Sequence, residues 1–414
     1  MKVYLRTYGC RANQYDTEAV RAMVLASGAE VADDVADADY AVFNSCTVTA
    51  AAEADLRADV RAASRVNSNL RSIVMGCAAG APDRDETVSP LSTLPSVAVV
   101  VAGADIGGVA SAMGLQPLKT ARIPMQTGAR ALLRIQDGCD EHCTFCATTV
   151  SRGANRSRAP ADVIAEARHL AKTHPEIVIT GIHIGTYGRD IGESLSSLVS
   201  ALIDSVPDVR FRLSSVEATE VDDRLADLFL ADSSRLAPHL HAPLQSGSNR
   251  ILRRMGRHWY TAESYEQAVE RLVRAETFAL SADVITGFPT ETEEDHRATI
   301  ALIERLPFTS LHVFPYSPRP GTAALKLIPK VGSDVSRERA RELRVLAERK
   351  AAAYRASRNG KACDVVVTEK GKGLTGDYLS VDVTDSIPRR SRFRAVLRET
   401  DGRLTALPTQ NRND

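Results

Sequence analysis

The sequence predicts an α/β protein in three parts: an N-terminal α/β domain with an open parallel sheet at 1–117, a central partial (β/α)6 barrel at 128–358, and a small C-terminal β-barrel at 359–414. Two patterns predict this organisation. In the first two parts, short β-rich runs alternate with helical stretches, as in parallel sheets built from βαβ units. In the last part, β-rich runs follow one another directly, separated by Gly, Asp and Pro.

The composition is that of a folded protein without a secretory or membrane segment. Of the 414 residues, 44% are hydrophobic and 25% charged, which is enough for cores of normal size. The chain opens Met-Lys-Val-Tyr-Leu-Arg and contains no run long enough to cross a bilayer, so we expect a cytoplasmic protein with no membrane partner. The 52 basic and 52 acidic residues balance, so net charge gives no information about nucleic acid.

Three cysteines of the N-terminal part follow predicted strands. The β-rich runs lie at 3–7, 40–44, 73–75 and 97–101, with helical stretches such as 18–26 and 50–65 between them. Cys10, Cys46 and Cys77 each follow one of the first three runs. Because parallel strands end at one edge, where open α/β sheets bind ligands, we expect these cysteines to converge. The alternative is three unrelated small core residues.

Six strand-like runs alternate with helices in the central part. The runs are 132–136, 177–181, 210–214, 236–244, 281–287 and 311–316, and the main helical stretches are 160–172, 195–203, 221–230, 262–275 and 293–305. The helices suit right-handed crossovers, so an open barrel follows, with its chemistry at the carboxyl ends of the strands. His239 and His241 share a face of one predicted strand, and we expect them to form hydrogen bonds in the barrel rather than to bind metal.

A second group of cysteines, Cys139, Cys143 and Cys146, follows the first barrel run with C-x3-C-x2-C spacing. Seven cysteines, an odd number in a reducing compartment, favour metal or cluster ligation over disulfides. Three thiolates on a four-iron cube leave one iron able to bind a small molecule, which indicates a reactive site. The alternative is zinc, with His142 as the fourth ligand of a closed tetrahedral site.

The C-terminal part combines a basic helix, 336–358, with β-rich runs at 364–368, 378–383 and 392–397. Arginines that suit a phosphate backbone concentrate on the helix and after it. They are Arg341, Arg344, Arg349, Arg389, Arg390, Arg392, Arg394 and Arg398. The alternative is a solvated charged face, since glutamates interleave on the helix. Cys363 is interpreted as a small core or surface residue.

The cysteine motif with Phe145 before its last cysteine resembles the signature of the radical S-adenosylmethionine (SAM) enzymes. The segments 7–18, 44–49 and 75–77 are similar to the methylthiotransferase family within that superfamily. The segments 213–217, 243–248, 287–295 and 312–322 look most like the branch that modifies threonylcarbamoyladenosine in tRNA, and the C-terminal part is similar to the family's RNA-binding TRAM barrel.

The resemblance implies two [4Fe-4S] clusters. Cys139, Cys143 and Cys146 would hold the one that binds SAM and cleaves it to a 5'-deoxyadenosyl radical. The second, on the N-terminal trio Cys10, Cys46 and Cys77, would carry the sulfur that a second SAM methylates. The methylthio group would go to C2 of N6-threonylcarbamoyladenosine next to the anticodon, with tRNA, SAM and an unidentified electron donor as partners.

The SAM contacts expected from position are Phe145, Gly181, Ser214 and Gln245. Two segments beside cluster ligands depart from the family pattern. Thr149-Val150 replaces a usual Pro-Tyr, although Arg152-Gly153 is kept, and Cys77-Ala-Ala-Gly80 replaces a usual Cys-Tyr-Ala-Gln. Three alternatives stay open: action on isopentenyladenosine in tRNA, action on an aspartate of a ribosomal protein, or a non-enzymatic, zinc-containing RNA-binding protein.

Overall fold

The computed structural model describes residues 1–47, 50–80, 89–116, 125–274 and 277–409. Its internal contacts divide the chain into two compact units. The first joins Met1–Thr127 with Gln136–Arg156 and Ser317–Lys326, and the second joins Gly128–Ile135 with Ser157–Tyr316 and Leu327–Asp414. Residues 117–124, where the predicted N-terminal domain ends, and the last five residues lie outside the described ranges. The three domain limits taken from the sequence stay a prediction.

A parallel sheet forms the centre of the first unit. Its strands are β1 (Lys2–Thr7), β2 (Glu30–Ala32), β3 (Tyr40–Ser45), β4 (Arg71–Gly76) and β5 (Val97–Val100), and across the described residues their order is β2-β1-β3-β4-β5. Every adjacent pair is parallel. The open parallel sheet is therefore confirmed. Only β2 was absent from the sequence prediction, because its three residues are too few to show an alternating pattern.

Helices cover both faces of this sheet, which explains why its strands are apolar on both sides. They are Arg11–Ala26, Ala50–Val66 and Ile106–Ala112. Phe43 and Val74 pack with Leu56 and Val60 on one face. On the other face a second cluster contains Val3, Val20, Val42, Ile73 and Val109.

Six parallel strands build the barrel of the second unit, as predicted. They are Ala131–Arg134, Glu176–Thr180, Arg210–Leu213, His239–His241, Ala279–Thr286 and Phe308–Pro315. The first three pair with one another and so do the last three. Single bridges from Phe211 to Leu236 and from Ser215 to His241 join the two halves. The fourth strand is much shorter than the predicted run at 236–244.

The barrel strands are apolar on one face and polar on the other. Ile177, Ile179 and Phe211 belong to the core that packs against the helices, whereas Glu176 and Arg212 lie on the opposite, inner face. The helices are Pro160–Leu170, Leu195–Ser205, Asp223–Ala231, Asn249–Arg254, Ala262–Leu272, Glu293–Arg305 and Ser333–Ser357. Since successive side chains of a strand alternate, the polar set faces the inside of the barrel.

The C-terminal segment forms a closed five-stranded β-barrel within the described residues, which confirms the predicted class. Its strands are Ala362–Glu369, Lys372–Thr375, Ser380–Asp382, Arg392–Thr400 and Arg403–Pro408. Two of them, Lys372–Thr375 and Arg403–Pro408, were not predicted. Cys363 packs partly buried against the core of this barrel, in agreement with its interpretation as a structural residue. None of the helices in the described ranges combines the length and apolarity needed to span a bilayer.

Candidate functional site

The three N-terminal cysteines lie at the carboxyl edge of the first unit's sheet, after β1, β3 and β4. The Sγ atoms of Cys10 and Cys77 lie 3.7 and 3.8 Å from the same atom, Asn13 Oδ1. Gly9 adopts φ +90°, and a Cβ there would lie 2.5 Å from Cys46 Sγ. The backbone before Cys10 therefore passes directly over Cys46, and the structure brings the three thiols together.

Asn13 holds this arrangement because its amide group is fixed by the backbone. It is fully buried, and its Nδ2 donates hydrogen bonds to Tyr8 O at 3.1 Å and Ser45 O at 2.6 Å. These bonds leave Oδ1 directed at the thiols. Asn13 was not among the predicted site residues, although it lies three residues after Cys10.

Arg152 connects the cysteines of the sheet edge to the segment that carries the other trio. Its Nε donates to Cys77 Sγ at 3.2 Å, and its Nη2 donates to Asn13 Oδ1 at 2.7 Å and Asp16 Oδ2 at 2.8 Å. Its Nη1 reaches Asp137 Oδ1 at 3.0 Å. The side chain of Arg152 is fully buried, so these partners replace all of its hydration.

Burial and neighbouring charges have opposite effects on the pKa values of Cys77 and Arg152. Burial raises the pKa of the Cys77 thiol to about 11, against the opposing effect of Arg152. For Arg152 itself burial would lower the pKa, but Asp16, Cys77 and Asp137 outweigh burial and raise it. Arg152 therefore remains a cation beside Cys77 and favours the thiolate form that a metal cluster requires.

Cys139, Cys143 and Cys146 form a tight, partly buried loop in the same unit. The amide of Cys139 donates to Gly153 O at 3.0 Å, and the amide of Cys146 donates to Cys143 O at 3.1 Å. Gly138 has φ +75°, and a Cβ there would lie 1.9 Å from Ala154 O, so only glycine fits before Cys139. The loop leads into the helix Thr148–Arg152, which presents Arg152 to Cys77.

The zinc alternative finds no support in the geometry. Within the described ranges, the group of His, Cys, Asp and Glu side chains able to hold a single ion does not include Cys139, Cys143, Cys146 or His142. A single tetrahedral ion requires all its ligands close together. A cube takes each thiolate on a different iron, so it accepts more widely spaced sulfurs. The donor set, three cysteines in each trio, fits a four-iron cluster.

The two departures from the family pattern meet in space. A Cβ on Gly80 would lie 2.8 Å from the backbone oxygen of Ser151. Gly80 belongs to one departing segment, and Ser151 follows Thr149-Val150 in the other. The glycine at position 80 therefore lets the helix Thr148–Arg152 pack closely against the loop after Cys77.

Two of the four predicted SAM contacts lie at the ends of barrel strands. Gly181 and Ser214 directly follow two adjacent barrel strands, and Ser214 is buried. Gln245 has φ +61°. Its backbone N–H donates a hydrogen bond to the backbone oxygen of Asp283 at 2.8 Å. Phe145 lies partly buried in the cysteine loop of the first unit. Their contact with SAM stays a prediction.

A buried ion cluster joins the central barrel to the C-terminal barrel within the second unit. Glu176 accepts hydrogen bonds from Arg210 Nε at 2.6 Å and Arg212 Nε at 2.9 Å. Arg212 also donates to the carbonyls of Gly376 and Thr375, at 2.9 and 3.0 Å. Burial would raise the pKa of Glu176, but the two arginines outweigh it and hold that pKa well below its usual range.

The C-terminal barrel also contributes an aromatic ring to this inner face. Tyr378 stacks on His239 with ring centroids 4.4 Å apart, and the guanidinium of Arg212 lies 5.0 Å from the Tyr378 ring centroid. His239 and His241 both hydrogen-bond Ser281 Oγ, at 3.1 and 2.9 Å. The predicted hydrogen bonds of both histidines are therefore present. Glu176, Arg210 and Arg212 were not among the predicted site residues, because their charges alone suggest surface positions.

The predicted basic surface divides into structural and exposed arginines. Arg392 pairs with Asp364 at 2.6 Å, and Arg390 donates to Gly128 O at 3.0 Å. On the helix, Arg341 pairs with Glu338 and Arg349 with Glu304, as the charged-face alternative predicted.

Other arginines face solvent or a groove. Arg389, Arg394 and Arg398 are exposed. Arg235 and Arg394 line a cavity of about 680 Å³ together with Arg392, Asp208 and Asp364, and cationic side chains there suit a phosphate.

Two family models match parts of the chain. Residues 2–100 match a family described as "Uncharacterized protein family UPF0004", and residues 133–303 match the Radical SAM superfamily. A radical SAM methyltransferase, TsrM from Kitasatospora setae, aligns with TM-score 0.56 and 15% identity over 76% of this chain and 72% of that one. The cobalamin-dependent radical SAM enzyme OxsB gives TM-score 0.51 at 12% identity, over 84% of this chain and 56% of that one. These likenesses establish the fold. The fold and site thus define a radical SAM enzyme.

Sequence relatives narrow the class. The threonylcarbamoyladenosine tRNA methylthiotransferase MtaB of Bacillus subtilis (strain 168) is 35% identical over 93% of this chain and 88% of its own length. The protein of that name from Aquifex aeolicus (strain VF5) is 34% identical, covering 92% and 96%. A tRNA-2-methylthio-N(6)-dimethylallyladenosine synthase of B. subtilis is 30% identical, covering 90% and 77%. The chain belongs to the radical SAM methylthiotransferase family. Membership decides against a non-enzymatic, zinc-containing RNA-binding protein.

Proposed function

We propose that this enzyme adds a methylthio group to C2 of N6-threonylcarbamoyladenosine next to the anticodon of tRNA. The observation that carries the proposal is the presence of two cysteine trios in one compact unit, connected by Arg152, in a chain that matches MtaB relatives over about nine-tenths of its length. A methylthiotransferase needs both a radical source and a sulfur carrier, and two trios provide two places for them.

The residues that would hold the clusters fit the groups. Cys139, Cys143 and Cys146 would bind the [4Fe-4S] cluster that the radical SAM family uses with SAM. Cys10, Cys46 and Cys77 would bind a second one. When bound, these groups supply a 5'-deoxyadenosyl radical and a transferable sulfur. The protein orients them: Asn13 and Arg152 fix the thiol of Cys77, and the close backbone of Gly9 restricts Cys46.

The tRNA would be held by cations of the second unit. Arg235, Arg392 and Arg394 line one groove, while Arg389 and Arg398 lie exposed on the C-terminal barrel. Counterion release at phosphates provides most of the affinity of such surfaces. With tRNA as its substrate the enzyme would act in the cytoplasm, and an electron donor of unidentified class would complete the set of partners.

Nucleoside mass spectrometry tests the proposal. Transfer RNA is compared between a strain without this gene and the same strain complemented with it. We expect complementation to restore 2-methylthio-N6-threonylcarbamoyladenosine and to leave 2-methylthio-isopentenyladenosine unchanged. A methylthio gain on isopentenyladenosine alone, or on a ribosomal protein aspartate, would overturn the assignment of the substrate.

A further inference from the structure

We propose that His241, Asp283 and His312 bind a divalent transition-metal ion such as Zn²⁺, with ligands that belong to neither cysteine trio. The three residues lie on neighbouring parallel barrel strands, His239–His241, Ala279–Thr286 and Phe308–Pro315. One ligand atom from each lies within 4.8 Å of the other two. None of these three residues is a ligand of the proposed clusters.

The register of the strands explains the convergence. Asp283 is the direct partner of His312, and His241 is the direct partner of Ser281, two residues before Asp283. Residues two apart share a face of a strand, so all three side chains point the same way. Asp283 Oδ1 lies 3.1 Å from His312 Nδ1, and Asp283 Oδ2 lies 3.3 Å from His241 Nε2.

The donor set selects the class of ion. Two imidazole nitrogens and one carboxylate oxygen are the protein ligands of many open Zn²⁺ sites and of the two-histidine, one-carboxylate Fe²⁺ sites. Mg²⁺ and Ca²⁺ prefer sites built from oxygen alone. Three protein ligands also leave coordination positions for water.

A further hydrogen bond orients His241 as a ligand. Its Nδ1 lies 2.9 Å from Ser281 Oγ, and the same oxygen lies 3.1 Å from His239 Nε2. Histidines that bind metals usually donate their other ring N–H to such a partner. If Nδ1–H of His241 donates to Ser281, the Ser281 hydroxyl can donate to His239, and Nε2 of His241 presents a lone pair toward Asp283.

An ion can reach this group from solvent. The side chains of His241, Asp283 and His312 are 14, 30 and 55% exposed, so the group opens to solvent on the His312 side.

Metal counting on the complete enzyme tests the site. The full chain, with both clusters reconstituted, is dialysed against Zn²⁺, and zinc, iron and sulfide are measured per chain. The control is His258→Gln, a change at an exposed histidine. We expect the unmodified enzyme and this control each to bind one more zinc ion per chain than Asp283→Asn or His312→Gln. Iron and sulfide contents should be equal in all four proteins. Ser281→Ala should weaken zinc binding about 10- to 100-fold.

X-ray absorption at the zinc edge separates this site from the thiolates. Zinc at the proposed site should show only nitrogen and oxygen neighbours, including imidazole. Equal zinc in the enzyme and both ligand variants, or zinc bound by sulfur, would overturn the proposal and leave a hydrogen-bonded His-Asp-His group. If Asp283→Asn does not fold, His312→Gln decides alone, because its side chain is more than half exposed. Neither result bears on the methylthiotransferase activity.

Discussion

The guanidinium of Arg152 lies 3.2 Å from the sulfur of Cys77, although 75 residues separate them in the chain. Arg152 ends the short helix that follows the C-x3-C-x2-C loop, so one side chain links the structural supports of both cysteine trios. The same guanidinium forms buried ion pairs with Asp16 and Asp137. A change at Arg152 therefore affects the sheet-edge cysteines through Cys77 and the loop through Asp137.

Replacement of Arg152 by Gln should destabilise the protein by about 3–5 kcal/mol, because Asp16 keeps its buried charge without a partner. We also expect the iron bound by the sheet-edge trio to decrease more than the iron bound by the loop trio. Urea unfolding and iron analysis, in the background of Cys139→Ala or Cys46→Ala, measure both effects. Arg61→Gln, at an exposed side chain of the helix Ala50–Val66, is the control and should change stability by less than about 0.5 kcal/mol. Equal behaviour of the two variants would contradict a linking role for Arg152.

Single substitutions in the two trios should separate SAM cleavage from sulfur transfer. Cys139→Ala should abolish formation of 5'-deoxyadenosine, because the loop trio would hold the cluster that binds SAM. Cys46→Ala should leave part of that activity but stop methylthiolation of tRNA. Mass spectrometry of one reaction mixture measures both the 5'-deoxyadenosine formed and the tRNA methylthiolated. Methylthiolated tRNA from Cys46→Ala enzyme would show that the sheet-edge trio does not carry the sulfur. Cys363→Ala serves as the control and should retain both activities.

A side chain at Gly80 should destabilise the first unit. The Cβ of Gly80→Ala would lie 2.8 Å from the backbone oxygen of Ser151, and overpacking of this kind costs about 1–3 kcal/mol. Gly332→Ala is the matched control, because nothing lies within 4 Å of the added atom. Because Gly332 is the N-cap of the helix Ser333–Ser357, where Ala is less favourable than Gly, its effect should be at most about 1 kcal/mol. Denaturant midpoints of both variants test the argument, and a neutral Gly80→Ala would mean that the helix after the loop moves without cost.

The ion cluster around Glu176 should make stability depend on acid. Arg210 and Arg212 lower the pKa of Glu176 in the folded protein below its ordinary value of 4.5. A lowered pKa stabilises the fold above the unfolded value, and that stability is lost as the pH falls from about 4.5 through the folded value.

Arg212→Ala should remove part of this stabilisation at pH 7 and bring the acid transition to a higher pH. Unfolding followed between pH 7 and pH 3 measures the change. Arg224→Ala, outside the ion cluster, provides the control curve. If stability falls with pH in the same way in the enzyme and in Arg212→Ala, the pKa of Glu176 does not depend on Arg212.

The sequence by itself determined the elements whose signals are local. The C-x3-C-x2-C loop, the cysteines after β1, β3 and β4, and the six barrel strands all follow from spacing and from the alternation of strands and helices. Family motifs then identified the enzyme class. Short or polar strands such as β2 and Lys372–Thr375 were not predicted, because a few residues carry little periodic signal.

Only the tertiary structure decided which distant side chains meet. The contact of Arg152 with Cys77, the cluster of Glu176 with its arginines, and the approach of His312 to Asp283 join residues from separate strands and helices. In a sequence each of these charged residues indicates a solvent-exposed position, since burial of an unpaired charge is costly. In the folded protein Arg152 and Glu176 are buried because each has an oppositely charged or polar partner. That partner is distant in the sequence, so no local pattern predicts it.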